Sequence, residues 1–77
     1  MKYAVNFSFT IVKTTTEDGL CFQGMKAETE ILSEQALNID DPDIRVQLED
    51  LLAADIMRQG YSIIRNMFKI EVFTPLQ

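Results

Sequence analysis

The acidic side chains are the groups in this sequence best suited to chemistry, because histidine is absent and cysteine occurs once. Asp40, Asp41 and Asp43 stand together and offer the oxygen ligands that Ca²⁺ and Mg²⁺ prefer. Calcium loops, however, place their ligands at alternate positions around a glycine turn, and that pattern is missing here. Pro42 suits the first position of a helix, so we interpret the cluster as a helix cap and expect no metal.

Nucleophilic catalysis and phosphate binding find even less support in the residue pattern. Ser8, Ser33 and Ser62 have no histidine base to activate them, and the glycines are too scattered to form a phosphate loop. A single thiol, Cys21, can build neither a zinc site nor an intrachain disulfide. We therefore expect a protein that is not an enzyme and that binds no cofactor.

Asp55 is the one carboxylate that the pattern places among apolar residues. We predict a helix from about residue 42 to 59, capped by Asp40 or Asp41 and ended by Gly60, with Arg58 in its last turn. One stripe of this helix is apolar and is formed by Ile44, Leu48, Leu51, Leu52 and Ile56. Asp55 falls within that stripe, where Arg58, Arg65 or Asn66 can bond it, and we expect it at the stripe's edge.

Two strands precede this helix. Alternation from Tyr3 to Ile11 predicts a first strand with one buried face, and Asp18-Gly19 predicts a hairpin turn after it. The second strand runs from Leu20 to about Leu32, with Cys21 as a small core residue and Gly24 as a bulge or close approach. We expect Ser33 to cap a single helical turn within residues 33–39.

A third strand follows the helix, from Tyr61 to Phe73. One of its faces carries Ile64, Phe68, Ile70 and Val72, and its other face carries Tyr61, Ile63, Met67 and Phe73. The elements give an α+β domain of ββαβ type, covering residues 1–77, whose three-stranded, mainly antiparallel sheet has the order 2-1-3. We expect the helix to pack on one face of this sheet, against Val5, Phe7, Phe9, Ile11, Phe68 and Ile70.

One helix covers only one face of such a sheet, and the predicted third strand lies at its edge. An apolar edge strand tends to pair with another chain, and a small domain without disulfides gains from extra burial. We therefore predict a homodimer formed through the last strand, with back-to-back packing of two sheets as the other option. The expected interface residues are Tyr61, Ile63, Arg65, Met67, Lys69 and Phe73.

The net charge of −5 is concentrated in the middle of the chain. An acidic surface repels phosphate backbones, so we expect no direct nucleic-acid binding, and it would suit a basic protein partner. The candidate acidic surface consists of Glu28, Glu30, Asp41, Asp43, Glu49 and Asp50. No stretch reaches the about 20 apolar residues that cross a bilayer, and the unpaired cysteine favours a reducing cytoplasm.

Three functions are compatible with these features. The first is a small non-catalytic protein-interaction module of adaptor or inhibitor type. The second is an acidic mimic of nucleic acid, of the kind that bacteriophages encode, which would block a nucleic-acid-binding enzyme with its carboxylates. The third, an enzyme that uses carboxylates alone at a dimer cleft, would depend on Asp55 and is hard to reconcile with so small a chain.

Overall fold

The chain forms four strands and one α-helix within the residues that the computed structural model describes, which are 1–15, 17 and 19–76, without the side chain of Thr15. Strand β1 spans Lys2–Thr15, β2 spans Gly19–Leu32, β3 spans Ser62–Ile63 and β4 spans Lys69–Pro75. Helix α1 spans Pro42–Arg58, and a 3₁₀ turn at Arg65–Met67 separates β3 from β4.

Strand β1 lies in the middle of the sheet. Strand β2 pairs with it antiparallel over its whole length, from Lys2 opposite Leu32 to Thr15 opposite Gly19. Strands β3 and β4 pair antiparallel with the other side of β1. These pairings confirm the α+β fold and the order 2-1-3. The predicted chain reversal is present, and Gly19 has a φ of 77°, which favours glycine; Asp18 lies outside the described residues.

The prediction of one continuous last strand is wrong. The 3₁₀ turn interrupts it, and a register shift leaves Glu71 as an extra residue between Val72, opposite Asn6, and Ile70, opposite Phe7. Each irregularity exchanges the two faces of the strand, because side chains alternate with a period of two. The core face therefore carries Ile63 in β3, Phe68 and Ile70 after the turn, and Phe73 after the bulge, while Val72 is exposed.

The core lies between one face of the sheet and α1. It contains the sheet residues predicted for it, together with four helix residues; the set is Val5, Phe7, Phe9, Ile11, Phe68 and Ile70 with Leu48, Leu52, Ala53 and Ile56. Leu51, predicted in the helix stripe, is instead 68% exposed, and Ile44 is half-buried. Ala53 is 1% exposed and belongs to the buried face of the helix. The centre of that face therefore lies farther from Leu51 than the large apolar residues alone indicate.

The N-terminus of α1 is capped as the sequence indicates. The carboxylate of Asp41 accepts a hydrogen bond of 3.0 Å from the backbone N–H of Asp43, and Pro42 begins the helix. At the other end Gln59 is the C-cap, and Gly60 follows it with a φ of 99°.

Removing this cap should weaken the domain. The Asp41→Ala variant should lose about 1 kcal/mol of unfolding free energy, because an N–H of the first turn loses its acceptor. Asp41→Asn keeps an acceptor and should change stability by less than about half of that. Urea unfolding followed by circular dichroism measures both, and equal losses in the two variants would contradict the capping role.

Three smaller expectations about β2 and the segment after it are wrong. Gly24 is in regular register opposite Thr10 without a bulge, and Cys21 is exposed because the core ends before this end of the hairpin. Residues 33–39 form no helical turn. Tyr3 orders this segment instead, since its hydroxyl accepts a 2.9 Å hydrogen bond from the backbone N–H of Leu37.

Candidate interaction surfaces

The residues predicted for a last-strand interface do not share one surface. Ile63 and Phe73 pack against the core, and the Phe73 ring stacks on Tyr3 with 4.8 Å between ring centroids. Tyr61, Met67 and Lys69 are exposed. The turn and the bulge divide the predicted face, so it offers no continuous apolar strip; whether any of these residues contacts a partner stays a prediction.

Arg65, the remaining member of that set, ties the 3₁₀ turn to the helix. Its guanidinium contacts Asp50 at 2.7 Å and Glu49 at 3.6 Å, and it lies 6.0 Å from the centroid of the Phe68 ring. The Glu49 side chain is only 13% exposed. A carboxylate with so little water around it needs an opposite charge, which gives Arg65 a structural role.

The predicted acidic residues lie on separate surfaces. Glu28 and Glu30 face outward on the sheet, opposite Asn6 and Ala4, whereas the acidic residues of α1 lie over the other face. Most of them also have local partners: Glu30 pairs with Lys2 at 3.0 Å, Asp41 caps the helix, and Glu49 and Asp50 contact Arg65. The fold therefore distributes the negative charge over both faces.

Asp55 lies at the surface, with 61% of its side chain exposed. Its carboxylate pairs with Arg58 at 3.5 Å and accepts a hydrogen bond from the Gln59 side chain at 3.4 Å. Of the three bonding partners expected for Asp55 from the sequence, Arg58 is the one that contacts it. Within the described part of the chain, no group of three or more cysteine or acidic side chains is arranged to hold a metal ion.

The described residues form an apolar groove between α1 and β2. Its volume is about 510 Å³. Thr29 and Ile31 form the sheet wall, Ile44, Leu48 and Leu51 form the helix wall, and Leu37 lies in the same lining. Polar side chains of Ser33, Gln47, Asp55 and Arg58 complete the lining, together with Leu32 and Leu52. We call this feature the α1–β2 groove.

The groove exists because one helix is too narrow for this sheet. A helix is about 10 Å across with its side chains, and neighbouring strands lie about 4.8 Å apart, so α1 covers roughly two strands. It lies close to β3 and β4. Strand β2 is left with Met25, Ala27, Thr29 and Ile31 only half-buried on its core face.

The outer edge of β2 is the second candidate surface. This strand is 14 residues long, ends the sheet, and pairs with β1 without a bulge. It contains no proline. The opposite edge is shorter and broken by the 3₁₀ turn, the bulge and Pro75, all of which discourage pairing with another chain. The long open edge is thus on β2, whereas the pattern of residues 61–73 predicts it on the last strand.

Comparison of the chain with protein families, with curated proteins and with solved structures finds no match. No described helix has the length and apolar character needed to cross a membrane.

The groove was not predicted from the sequence, although the apolar residues of α1 partly indicate it. The stripe of α1 contains more large apolar residues than one helix face can bury, and the surplus residue is Leu51. Leu37 lies in a segment without clear periodicity, so its place in the groove depends on the hydrogen bond between its backbone and Tyr3.

Proposed function

We propose that the protein is a non-catalytic protein-interaction module that binds an amphipathic helix of a partner protein in the α1–β2 groove. The exposure of Leu51 carries this proposal. It is a large apolar side chain, 68% exposed, on the rim of a groove whose other apolar residues, except Leu32, are half-buried or buried. Apolar lining with a polar rim is the usual anatomy of a protein-binding groove.

The dimensions of the uncovered sheet favour a helix as the occupant. A second helix beside α1 would complete the layer that packs on the sheet, at the usual spacing of 8–10 Å between helix axes. The half-buried residues of β2 extend from Met25 to Ile31, a distance of about 20 Å along the strand, and the last two of them, Thr29 and Ile31, form the sheet wall of the groove. A helix of about four turns spans the same length.

Charge favours a partner helix with a basic polar face. The chain carries a net charge of −5, so a cationic partner is attracted at long range and an anionic one is repelled. Asp55 at the groove already pairs with Arg58, through a contact that is 3.5 Å long and solvent-exposed. Contact at the groove should therefore be mainly apolar, with charge affecting the rate of association more than its strength.

The alternative function, an acidic mimic of nucleic acid, gains no support from the fold. A mimic needs its carboxylates on one continuous surface, and here Glu28 and Glu30 face away from the acidic residues of α1.

A defined peptide tests the proposed function. The probe is a fluorescent peptide of leucine and lysine, about 18 residues long, with leucine at helical spacing. Its binding, followed by fluorescence anisotropy, should be about tenfold weaker for the Leu51→Gln variant, because the variant loses an apolar contact without changing charge.

Two controls separate groove binding from general attraction. Val46 is on the same helix, is 50% exposed and lies outside the groove, so Val46→Gln should bind the peptide like the unmodified protein. A peptide of identical composition with leucine at alternate positions should bind weakly to all three proteins. Equal affinity of Leu51→Gln and Val46→Gln for the helical peptide would contradict the proposal.

A further inference from the structure

The backbone groups on the open edge of β2 belong to its even-numbered residues. Met1 and Ser33 exchange two backbone hydrogen bonds across the β1–β2 pair, at 2.6 and 2.8 Å. In an antiparallel ladder such pairs alternate, so the odd residues from Gln23 to Ile31 bond β1 and the even residues from Phe22 to Leu32 point away from it. In the described chain, no other segment is bonded to this edge.

This alternation restricts how a second copy can pair with β2. The residues whose backbone groups point outward must face each other in the two strands, so even residues face even residues. In a two-fold symmetric dimer, one residue at the axis then faces the same residue of the partner. If Lys26 or Glu28 lies at the axis, like charges meet directly. If Thr29 lies at the axis, Glu28 faces the partner's Glu30.

A register centred on Ala27 brings opposite charges together and also pairs exposed apolar side chains. Lys26 then faces the partner's Glu28, and the symmetry repeats this opposite-charge pair. Phe22 faces the partner's Leu32, again twice. These two side chains are 60% and 81% exposed in the single chain, so the pairing covers two of the three most exposed large apolar side chains of β2.

We propose that two copies of this chain pair antiparallel through β2, with Ala27 facing the partner's Ala27. The dimer has one continuous sheet, and the outward backbone groups of β2 are bonded in it. The pairing is edge to edge and leaves the helix wall of the α1–β2 groove uncovered, while Thr29 and Leu32 at the outer side of the groove face residues of the partner. The dimer and the proposed function have separate tests, so either can fail alone.

Disulfide trapping tests the register. At the axis the Ala27 positions form a pair without hydrogen bonds, with Cα atoms about 4.5 Å apart, a distance that a disulfide can bridge. In a Cys21→Ser background, Ala27→Cys should form a covalent dimer on mild oxidation. The matched control Thr29→Cys faces the partner's Met25 and should stay monomeric on a non-reducing gel. Equal trapping of both variants, or trapping of Thr29→Cys alone, would overturn the register.

Charge reversal gives a second, reversible test, with sedimentation equilibrium as the readout. Lys26→Glu should raise the dissociation constant of the dimer about tenfold or more, since it converts two opposite-charge pairs into like-charge pairs. Adding Glu28→Lys should restore association by re-forming the pairs in reverse. Lys69→Glu makes the same charge change on β4 and should have little effect. A monomeric unmodified protein, or a larger effect of Lys69→Glu, would contradict pairing through β2.

Discussion

The Phe68→Ala variant should lose about 4 kcal/mol of unfolding free energy. Phe68 is 4% exposed, and its ring stacks on both Phe7 and Phe9, with centroid distances of 5.2 and 5.8 Å. Truncation would leave a cavity in the middle of the only core cluster of the described residues. A domain of this size has a total stability of about 4–12 kcal/mol, so this loss would remove at least about a third of it.

Urea unfolding monitored by circular dichroism measures this loss, and the neighbouring residue supplies the control. Met67 is 54% exposed, so Met67→Ala should change stability by less than about 0.5 kcal/mol. A Phe68→Ala variant as stable as Met67→Ala would show that the aromatic cluster is not the centre of the core.

The Arg65→Ala variant should have the second-largest effect, a loss of about 2 kcal/mol. It removes the cation that contacts Glu49 and Asp50, and it leaves the nearly buried Glu49 carboxylate without a partner. Adding Glu49→Gln should restore part of the lost stability, because a neutral amide is less costly to bury than a charge.

The surface pair of Lys2 with Glu30 provides a comparison for Arg65. Both of these side chains are about half exposed, so Lys2→Ala should lose no more than about 0.5 kcal/mol. Urea unfolding of the two alanine variants and the double variant measures all three values. The structural role assigned to Arg65 is wrong if Arg65→Ala loses no more unfolding free energy than Lys2→Ala. It is also wrong if Glu49→Gln lowers stability further in the Arg65→Ala background.

The regular elements could be predicted from the sequence because each has a local physical cause. The alternation in β1 decides which of its faces is buried, and Asp41 with Pro42 decides where α1 begins. The sheet order followed from connecting these elements by the shortest right-handed path. These features depend on residues close together in the chain.

The last strand could not be predicted in detail, because its breaks depend on distant partners. The Glu71 bulge depends on the register with β1, where the Ser8 hydroxyl donates a 2.7 Å hydrogen bond to the Glu71 carboxylate. The 3₁₀ turn depends on Arg65 reaching Asp50 in α1. Both breaks change which side chains face the core, so Phe73 was assigned to the wrong face.

The groove and the open edge of β2 were missed for a related reason. Which part of a sheet a single helix leaves uncovered depends on the helix's lateral position, and the sequence pattern contains no measure of that position. Once α1 lies toward β3 and β4, the exposure of Leu51 and the half-burial of Ile31 follow.

The most direct test of the account is a nuclear magnetic resonance titration of the ¹⁵N-labelled protein with the leucine–lysine helical peptide. If the α1–β2 groove is the binding surface, the backbone signals that shift most should belong to residues lining it, such as Thr29, Ile31, Leu37, Ile44 and Leu51. Signals of Tyr61, Met67 and Lys69 should stay in place. Shifts concentrated on those three residues, with the groove signals unchanged, would contradict binding of the peptide in the α1–β2 groove.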